Sequence, residues 1–199
     1  MSSVPPNFTG SMALPQHMVW QYYQSLRRRV IGVANATDEE IIRQDTATSI
    51  MLAVTVVEAF FNLYFRVLVS QPNYAQHEAR LLKDFEKRKG LEYKLKNWFP
   101  EIIGKPLDFT APIPKAFSEL KVLRNTLMHF TSSHQTANLP GFQIQALADV
   151  TAYQALTAKD AMVALTTAEQ MVSEVFRLIG YSEQEILYLL QQWTGKVPL

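Results

Sequence analysis

The sequence predicts an all-α protein, an up-and-down helical bundle with a buried central helix and one or two short accessory helices. Three observations support this fold class. Apolar residues recur at intervals of three and four along most of the 199 positions, which is the spacing of amphipathic helices. Helix-capping signatures precede several of these segments. A nearly unbroken apolar run from Ile50 to Val69 is typical of a helix surrounded by other helices.

The first half of the chain predicts three helices. They lie at residues 12–33, 38–70 and 75–98. Thr37 followed by Glu40 is a capping-box signature that opens the second helix. Pro72 ends that helix, because a proline disfavours helical conformation in the residue before it.

The second half predicts a structured loop, a motif-bearing helix, a polar stretch and two further helices. The loop runs from Pro100 to Pro114, where four prolines and a glycine fall in fifteen positions. The motif helix is expected at residues 113–130, and the polar stretch at 131–156, with 142–147 as a short extended piece. The last two helices begin at the caps Thr157 with Asp160 and Ser182 with Glu185, end at Ile179 and Trp193, and are separated by Gly180.

Composition narrows the classes of function. The chain has a net charge of +1, so any basic surface must be local. It contains no cysteine, which excludes thiolate chemistry, and its four scattered histidines predict no metal site. Seven glycines without a phosphate-binding loop argue against a dinucleotide-binding fold, and no cofactor is expected. One domain spanning residues 1–199, without a signal peptide and located in the cytoplasm, is expected.

The apolar run from Ile50 to Val69 also raises the alternative of a membrane-spanning helix. About 20 predominantly apolar residues suffice to span a bilayer. Glu58, Asn62 and Arg66 interrupt the run, however, and a carboxylate near the centre of a spanning helix costs about 3 kcal/mol. The central helix of a bundle is therefore the favoured interpretation, and no membrane contact is expected.

The most informative segment runs from Leu123 to Phe130 and contains Arg124, Asn125 and His129. An arginine stays charged at all accessible pH values, and a histidine titrates near neutrality. These two groups are the tools needed to cleave a phosphodiester without a metal. The alternative is an arginine at the edge of the core with a histidine that caps the helix C-terminus.

The helical periodicity places these residues on different faces. Arg124 falls at the edge of the core stripe, whereas Asn125 and His129 lie together on roughly the opposite side. At about 100° per residue, Arg124 and His129 are roughly 140° apart. Either the arginine wraps around the helix, or the helix is distorted near Phe130, or two copies of the helix share their residues. The last possibility predicts a homodimer.

Glu58 and Asn62 lie four residues apart on one face of the central helix. A carboxylate in a buried helix needs a partner, because burial of a lone charge is costly. Arg124 is the expected partner, which would make Glu58 and Asn62 supports for the active-site arginine. An ordinary salt bridge or a solvent-facing edge is the structural alternative.

The third helix is basic in places. Lys83, Lys87 and Arg88, together with Lys121 on the motif helix, are the candidate RNA contacts. Acidic residues interleave with the cations of the third helix, and the more usual interpretation of such a pattern is a solvated face with local ion pairs.

The segment Arg124-Asn125-Thr126-Leu127-Met128-His129 resembles the signature of the HEPN superfamily, the higher eukaryote and prokaryote nucleotide-binding domain. The run from Val57 to Asn62 resembles the glutamate-bearing helix that often precedes that signature. The resemblance covers residues 38–180, and the helices at 12–33 and 183–193 would pack on this core.

The resemblance implies a metal-independent endoribonuclease that acts as a homodimer. It would cleave RNA by attack of the 2′-hydroxyl and leave a 2′,3′-cyclic phosphate. Arg124, Asn125 and His129 would be the catalytic residues, without a cofactor. Such proteins act as toxins with an antitoxin partner, in phage defence or in RNA processing. The alternative is a non-catalytic helical module that binds a nucleotide or a partner protein.

Overall fold

The computed structural model describes residues 14–129, 135–140, 142–147 and 150–196. The all-α prediction is confirmed, since the described residues form a bundle of eight α-helices. The helices are α1 (Pro15–Asn35), α2 (Glu39–Val69), α3 (Glu78–Glu86), α4 (Leu91–Trp98), α5 (Pro112–His129), α6 (Thr151–Gln154), α7 (Ala158–Ile179) and α8 (Glu183–Thr194). A small antiparallel hairpin, β1 (Gln135–Leu139) and β2 (Phe142–Leu147), follows α5.

Helix α2 forms the centre of the bundle. It packs against α1 and α7 along its length, and α5 packs on both α2 and α7. Aromatic rings fill the core: Phe60 of α2 stacks on Tyr64 at 5.1 Å and meets the rings of Phe176 and Trp193 edge-on at 5.5 and 5.3 Å. Burial of such rings is the main apolar contribution to the stability of the bundle.

The prediction of a buried central helix is confirmed for α2. Its residues Phe60, Phe61 and Phe65 are almost completely buried. By length and composition alone α2 is also apolar enough to cross a membrane, with a mean hydropathy of 1.7 in its most apolar window. Of that window, 56% is buried within the bundle, as in the core helix of a soluble protein, which meets the same criterion.

The predicted helix starts are correct in two of three cases. Ser182 and Glu185 form a reciprocal capping box at α8, and the Thr157 N–H and hydroxyl both donate to Asp160 at the start of α7. The predicted Thr37 cap of α2 is wrong. Asp38 caps this helix instead, since its carboxylate accepts the N–H groups of Glu40 and Ile41. The negative charge of Asp38 also suits the positive end of the helix dipole.

The prediction of one helix over residues 75–98 is wrong. A 3₁₀ turn (Ala75–His77) leads into α3, and a turn at residues 87–90 separates α3 from α4. Within this turn, Arg88 adopts a left-handed conformation with a φ of 50°. Beyond α4, a π-helical turn (Phe99–Ile103) occupies the start of the predicted proline-rich loop.

The predicted polar stretch at 131–156 is more regular than expected. The extended piece at 142–147 is confirmed as β2. Its partner β1 and the short helix α6 were missed, because neither has a periodicity long enough to identify from the sequence.

Candidate functional site

The motif lies in the last two turns of α5. Phe117, Leu120 and Leu127 are buried where α5 packs on α2 and α7. These contacts fix the rotation of the helix about its axis and therefore decide which motif residues face the solvent. Asn125 is exposed, and Arg124 is half-buried at the edge of the core stripe, as predicted.

The guanidinium of Arg124 has hydrogen-bond donors for which the described residues offer no strong acceptor. Its Nε is buried and has no hydrogen-bond partner among those residues. Its Nη1 lies 3.7 Å from the thioether sulfur of Met128, which is a weak acceptor. None of the ion pairs among the described residues includes Arg124. No carboxylate in the described part of the chain therefore compensates the positive charge of Arg124, and its remaining donors suit an anion such as a phosphate.

His129 is the last residue of α5, and its side chain lies outside the described parts of the structure. The expected separation between His129 and Arg124 therefore stays a prediction, as does the sharing of these residues between two copies. What the structure does describe is the arginine and the exposed Asn125 beside it.

Glu58 does not hold Arg124, so that prediction is wrong. The Lys94 ammonium on α4 donates to Asn62 Oδ1 at 2.8 Å and lies 3.4 Å from Glu58 Oε1. The lysine side chain is 7% exposed and the glutamate 34% exposed. Glu58 and Asn62 thus bind a buried cation together, but the cation belongs to α4 rather than to the motif.

The sequence did contain a signal for this lysine. Leu91, Leu95 and Trp98 form the buried stripe of α4, and Lys94 occupies the remaining position of that stripe. A lysine within an apolar stripe needs an acidic or amide partner on the facing helix. Its ammonium also lies 5.5 Å from the Trp98 ring, within cation–π range.

Lys121, a predicted RNA contact, is engaged within the protein. Its ammonium lies 3.2 Å from Glu92 of α4, and its side chain is only 17% exposed. The other oxygen of Glu92 lies 2.8 Å from Lys96. The two lysines lower the pKa of Glu92 to about 2, chiefly through hydrogen bonds to the carboxylate, with Lys96 contributing most. Lys121 therefore connects α5 to α4 instead of projecting into solvent.

The other predicted RNA contacts remain free. Lys83, Lys87 and Arg88 are exposed at the end of α3, and none of them forms an ion pair with another described residue. They lie around the turn that joins α3 to α4.

One side of α5 borders an open, mainly apolar groove of about 430 Å³. Ser118, Val122, Leu123 and Thr126 of α5 line it together with Ala152 of α6. Val122 is 62% exposed and contributes apolar surface to this groove. The groove offers a surface for a partner helix or a second copy of the chain.

Within residues 14–129 and the other described segments, no group of three or more acidic or histidine side chains is placed to bind a metal ion. No protein-family model matches this chain, and neither a curated protein nor a solved structure matches it.

Proposed function

We propose that this protein is a metal-independent endoribonuclease of the HEPN type. The observation that supports the proposal best is the state of Arg124, which is held at the edge of the core with a positive charge that no described carboxylate neutralises. A half-buried arginine of this kind is suited to bind a phosphate, because its planar donors match phosphate oxygens. Its position directly before Asn125, and five residues before His129, adds the groups that such a cleavage needs.

The reaction balances without an external reagent. The 2′-oxygen of a ribose attacks the adjacent phosphorus, and the bond from phosphorus to the 5′-oxygen breaks. The proton lost by the 2′-hydroxyl and the proton gained by the 5′-oxygen make the exchange neutral. His129 transfers one of these protons, Arg124 stabilises the charge on the phosphoryl oxygens, and Asn125 orients the histidine or the phosphate.

A homodimer is part of the proposal. The exposed Val122 and the adjoining groove on α5 provide an apolar surface that a second copy would cover. Packing of two α5 helices would bring Asn125 and the end of the motif helix close to the partner's motif. One copy would then supply the acid and the other the base of the reaction.

Cleavage of RNA in the presence of EDTA by purified wild-type protein, Arg124→Ala and His129→Ala tests this function. We expect each variant to lose activity by about 10²–10³-fold, the loss typical when one transition-state donor or one acid–base group is removed. Lys159→Ala is the matched control, since Lys159 is an exposed cation of α7 without an ion pair among the described residues. Equal cleavage by all four proteins would contradict the assignment.

The groove along α5 also supports a second candidate, a non-catalytic module that binds a partner protein such as an antitoxin. In that case Arg124→Ala and Lys159→Ala would both leave RNA intact, as would the wild type. A partner bound at the groove would be released by Val122→Glu. The proposed setting in a toxin–antitoxin or phage-defence system applies to either candidate.

A further inference from the structure

The turn between α3 and α4 has an unusual residue at its sharpest point. The Lys89 N–H donates to the Asp84 carbonyl at 3.0 Å, and the Arg88 N–H donates to the Phe85 carbonyl at 2.9 Å. These two bonds define a Schellman motif, in which the residue after the helix cap adopts a left-handed conformation. Glycine usually occupies that position because it has no Cβ to clash. Here it is Arg88, with a φ of 50°.

The conformation of Arg88 is therefore a local disadvantage for stability. It is the one non-glycine residue with a positive φ in the part of the chain that the structure describes. Glycine would form the same turn without that disadvantage. The arginine is also exposed and makes no described ion pair or hydrogen bond through its side chain that would compensate for the strain. Strained residues of this kind concentrate at functional sites.

The surroundings of Arg88 form a basic surface, which we call the basic turn and define as Lys83, Lys87, Arg88 and Lys89. None of these cations forms an ion pair among the described residues. Lys89 instead lies 4.6 Å above the Tyr93 ring. The basic turn thus keeps its positive charge free, in a protein whose net charge is only +1.

Neighbouring carboxylates do little to neutralise the basic turn. Asp84 is buried, accepts from the Trp98 indole at 3.2 Å and lies 3.5 Å from Arg80. Glu86 is the one exposed carboxylate between Lys83 and Lys89. Three adjacent cations, residues 87–89, therefore dominate the local potential.

We propose that the basic turn binds the phosphodiester backbone of the RNA substrate and that Arg88 is its anchor. This inference rests on the proposed ribonuclease function and assigns it a docking surface on the turn between α3 and α4, in addition to the catalytic motif. Flexible cationic side chains without a pocket suit a repeating phosphate backbone better than a single small anion. A lipid surface is disfavoured, because Leu82 is the only large apolar residue exposed on the described surface of α3.

Arg88→Gly provides a test with two opposite expected effects. We expect the melting temperature to rise by a few degrees, since glycine relieves the left-handed strain. We expect affinity for single-stranded RNA to fall, and the slope of log K against log salt to become shallower by about 0.7, the value for one lost contact to a single strand. Binding is measured by fluorescence anisotropy with a 2′-O-methyl oligonucleotide, which the proposed reaction cannot cleave.

Three control variants separate charge from conformation. Arg88→Lys keeps the charge and the strain, so both melting temperature and salt slope should stay close to those of the wild type. Arg88→Asn removes the charge but tolerates the left-handed conformation, and it should bind as weakly as Arg88→Gly. Lys159→Ala removes an exposed charge elsewhere and should leave the slope unchanged.

Three results would overturn the inference. The first is an unchanged salt slope in Arg88→Gly, and the second is an equal loss of RNA affinity in Lys159→Ala. The third is binding of wild-type protein to vesicles of anionic lipid but not to the oligonucleotide. The proposed function fails separately: a protein that binds through the basic turn but cleaves no unmodified RNA would retain this inference and lose the catalytic one.

Discussion

At the scale of single residues, the most consequential contact is the one that Lys94 makes with Glu58 and Asn62. The ammonium is almost fully buried, and the amide oxygen of Asn62 is closer to it than the carboxylate is. The carboxylate is about one-third exposed and can be hydrated if its partner is lost. The buried Lys94 ammonium therefore needs the Glu58 carboxylate as a counter-charge more than the carboxylate needs the ammonium.

We expect the loss of Glu58 to be more harmful than the loss of Lys94. Glu58→Gln leaves a buried ammonium without a counter-charge and should reduce the free energy of unfolding by about 2 kcal/mol. Lys94→Met leaves only a carboxylate that water can reach and should cost less than about 1 kcal/mol. Urea denaturation of both single variants and of the double variant measures this difference. Equal losses in the two single variants would contradict the unequal dependence.

The identity of this contact shows where prediction from sequence reaches its limit. The sequence indicated that Glu58 lies in a buried helix and needs a cation. It did not indicate which one, because Arg124 and Lys94 are both distant in the chain and only the packing of α4 against α2 selects between them. The exposure of Asn125 and the edge position of Arg124 were predictable, since they depend only on the rotation of one helix.

At the scale of secondary-structure elements, α4 connects α2 to α5 through two side-chain contacts. Lys94 connects it to α2, and Glu92 connects it to Lys121 of α5. Because α5 carries the motif, we expect the contact between Glu92 and Lys121 to help position Arg124. The Glu92 carboxylate is 62% exposed, and the contact should weaken when this carboxylate is protonated.

The contacts of Glu92 with Lys96 and Lys121 should make the free energy of unfolding depend on pH in the acid range. The pKa of Glu92 is about 2 in the folded protein against an ordinary value of 4.5. A carboxyl whose folded pKa is lowered stabilises the folded state above its unfolded pKa, and this contribution is lost as the pH falls through the folded pKa. Between pH 4.5 and pH 2, the free energy of unfolding should therefore fall more steeply in the wild type than in Glu92→Gln. The free energy of unfolding is measured by urea titration at each pH. Parallel pH dependences for the two proteins over that range would rule out a stabilising role for the contacts of Glu92.

The ends of a helix could be predicted from the sequence where hydrogen bonds between neighbouring residues determine them. The capping residues Ser182 and Glu185 were predictable because their hydrogen bonds join neighbours in the chain. The break between α3 and α4 was not, because it places Arg88 where the local rule calls for glycine. This break carries the basic turn, which we propose as an RNA-binding surface.

At the scale of the whole molecule, the proposed site is one that two copies of the chain would complete. Arg124 and His129 are predicted to lie roughly 140° apart on a regular helix, and a second α5 helix would supply the group that the first does not present to the phosphate. The apolar surface at Val122 is the described part of α5 that a second copy would bury.

A charged substitution on this surface tests the dimer. We expect the wild type to be a dimer by light scattering, and Val122→Glu to be a monomer that remains folded by circular dichroism, because a carboxylate at the centre of an apolar interface resists desolvation. Ile31→Glu is the matched control, since Ile31 on α1 is also 62% exposed. A wild-type protein that stays monomeric at all concentrations would contradict the proposal that two copies share the site.

The proposed reaction depends on Arg124 and on the 2′-hydroxyl of the RNA but not on a metal ion. The most direct measurement is the cleavage, in EDTA, of an end-labelled RNA and of the same strand with one 2′-deoxy nucleotide at the main cleavage position. We expect wild-type protein to cut the RNA, to leave a 2′,3′-cyclic phosphate and to spare the bond that follows the deoxy nucleotide, whereas Arg124→Ala cuts the RNA about 10²–10³-fold more slowly. Cleavage that continues at the deoxy position, or that proceeds in Arg124→Ala at the wild-type rate, would contradict the proposed reaction.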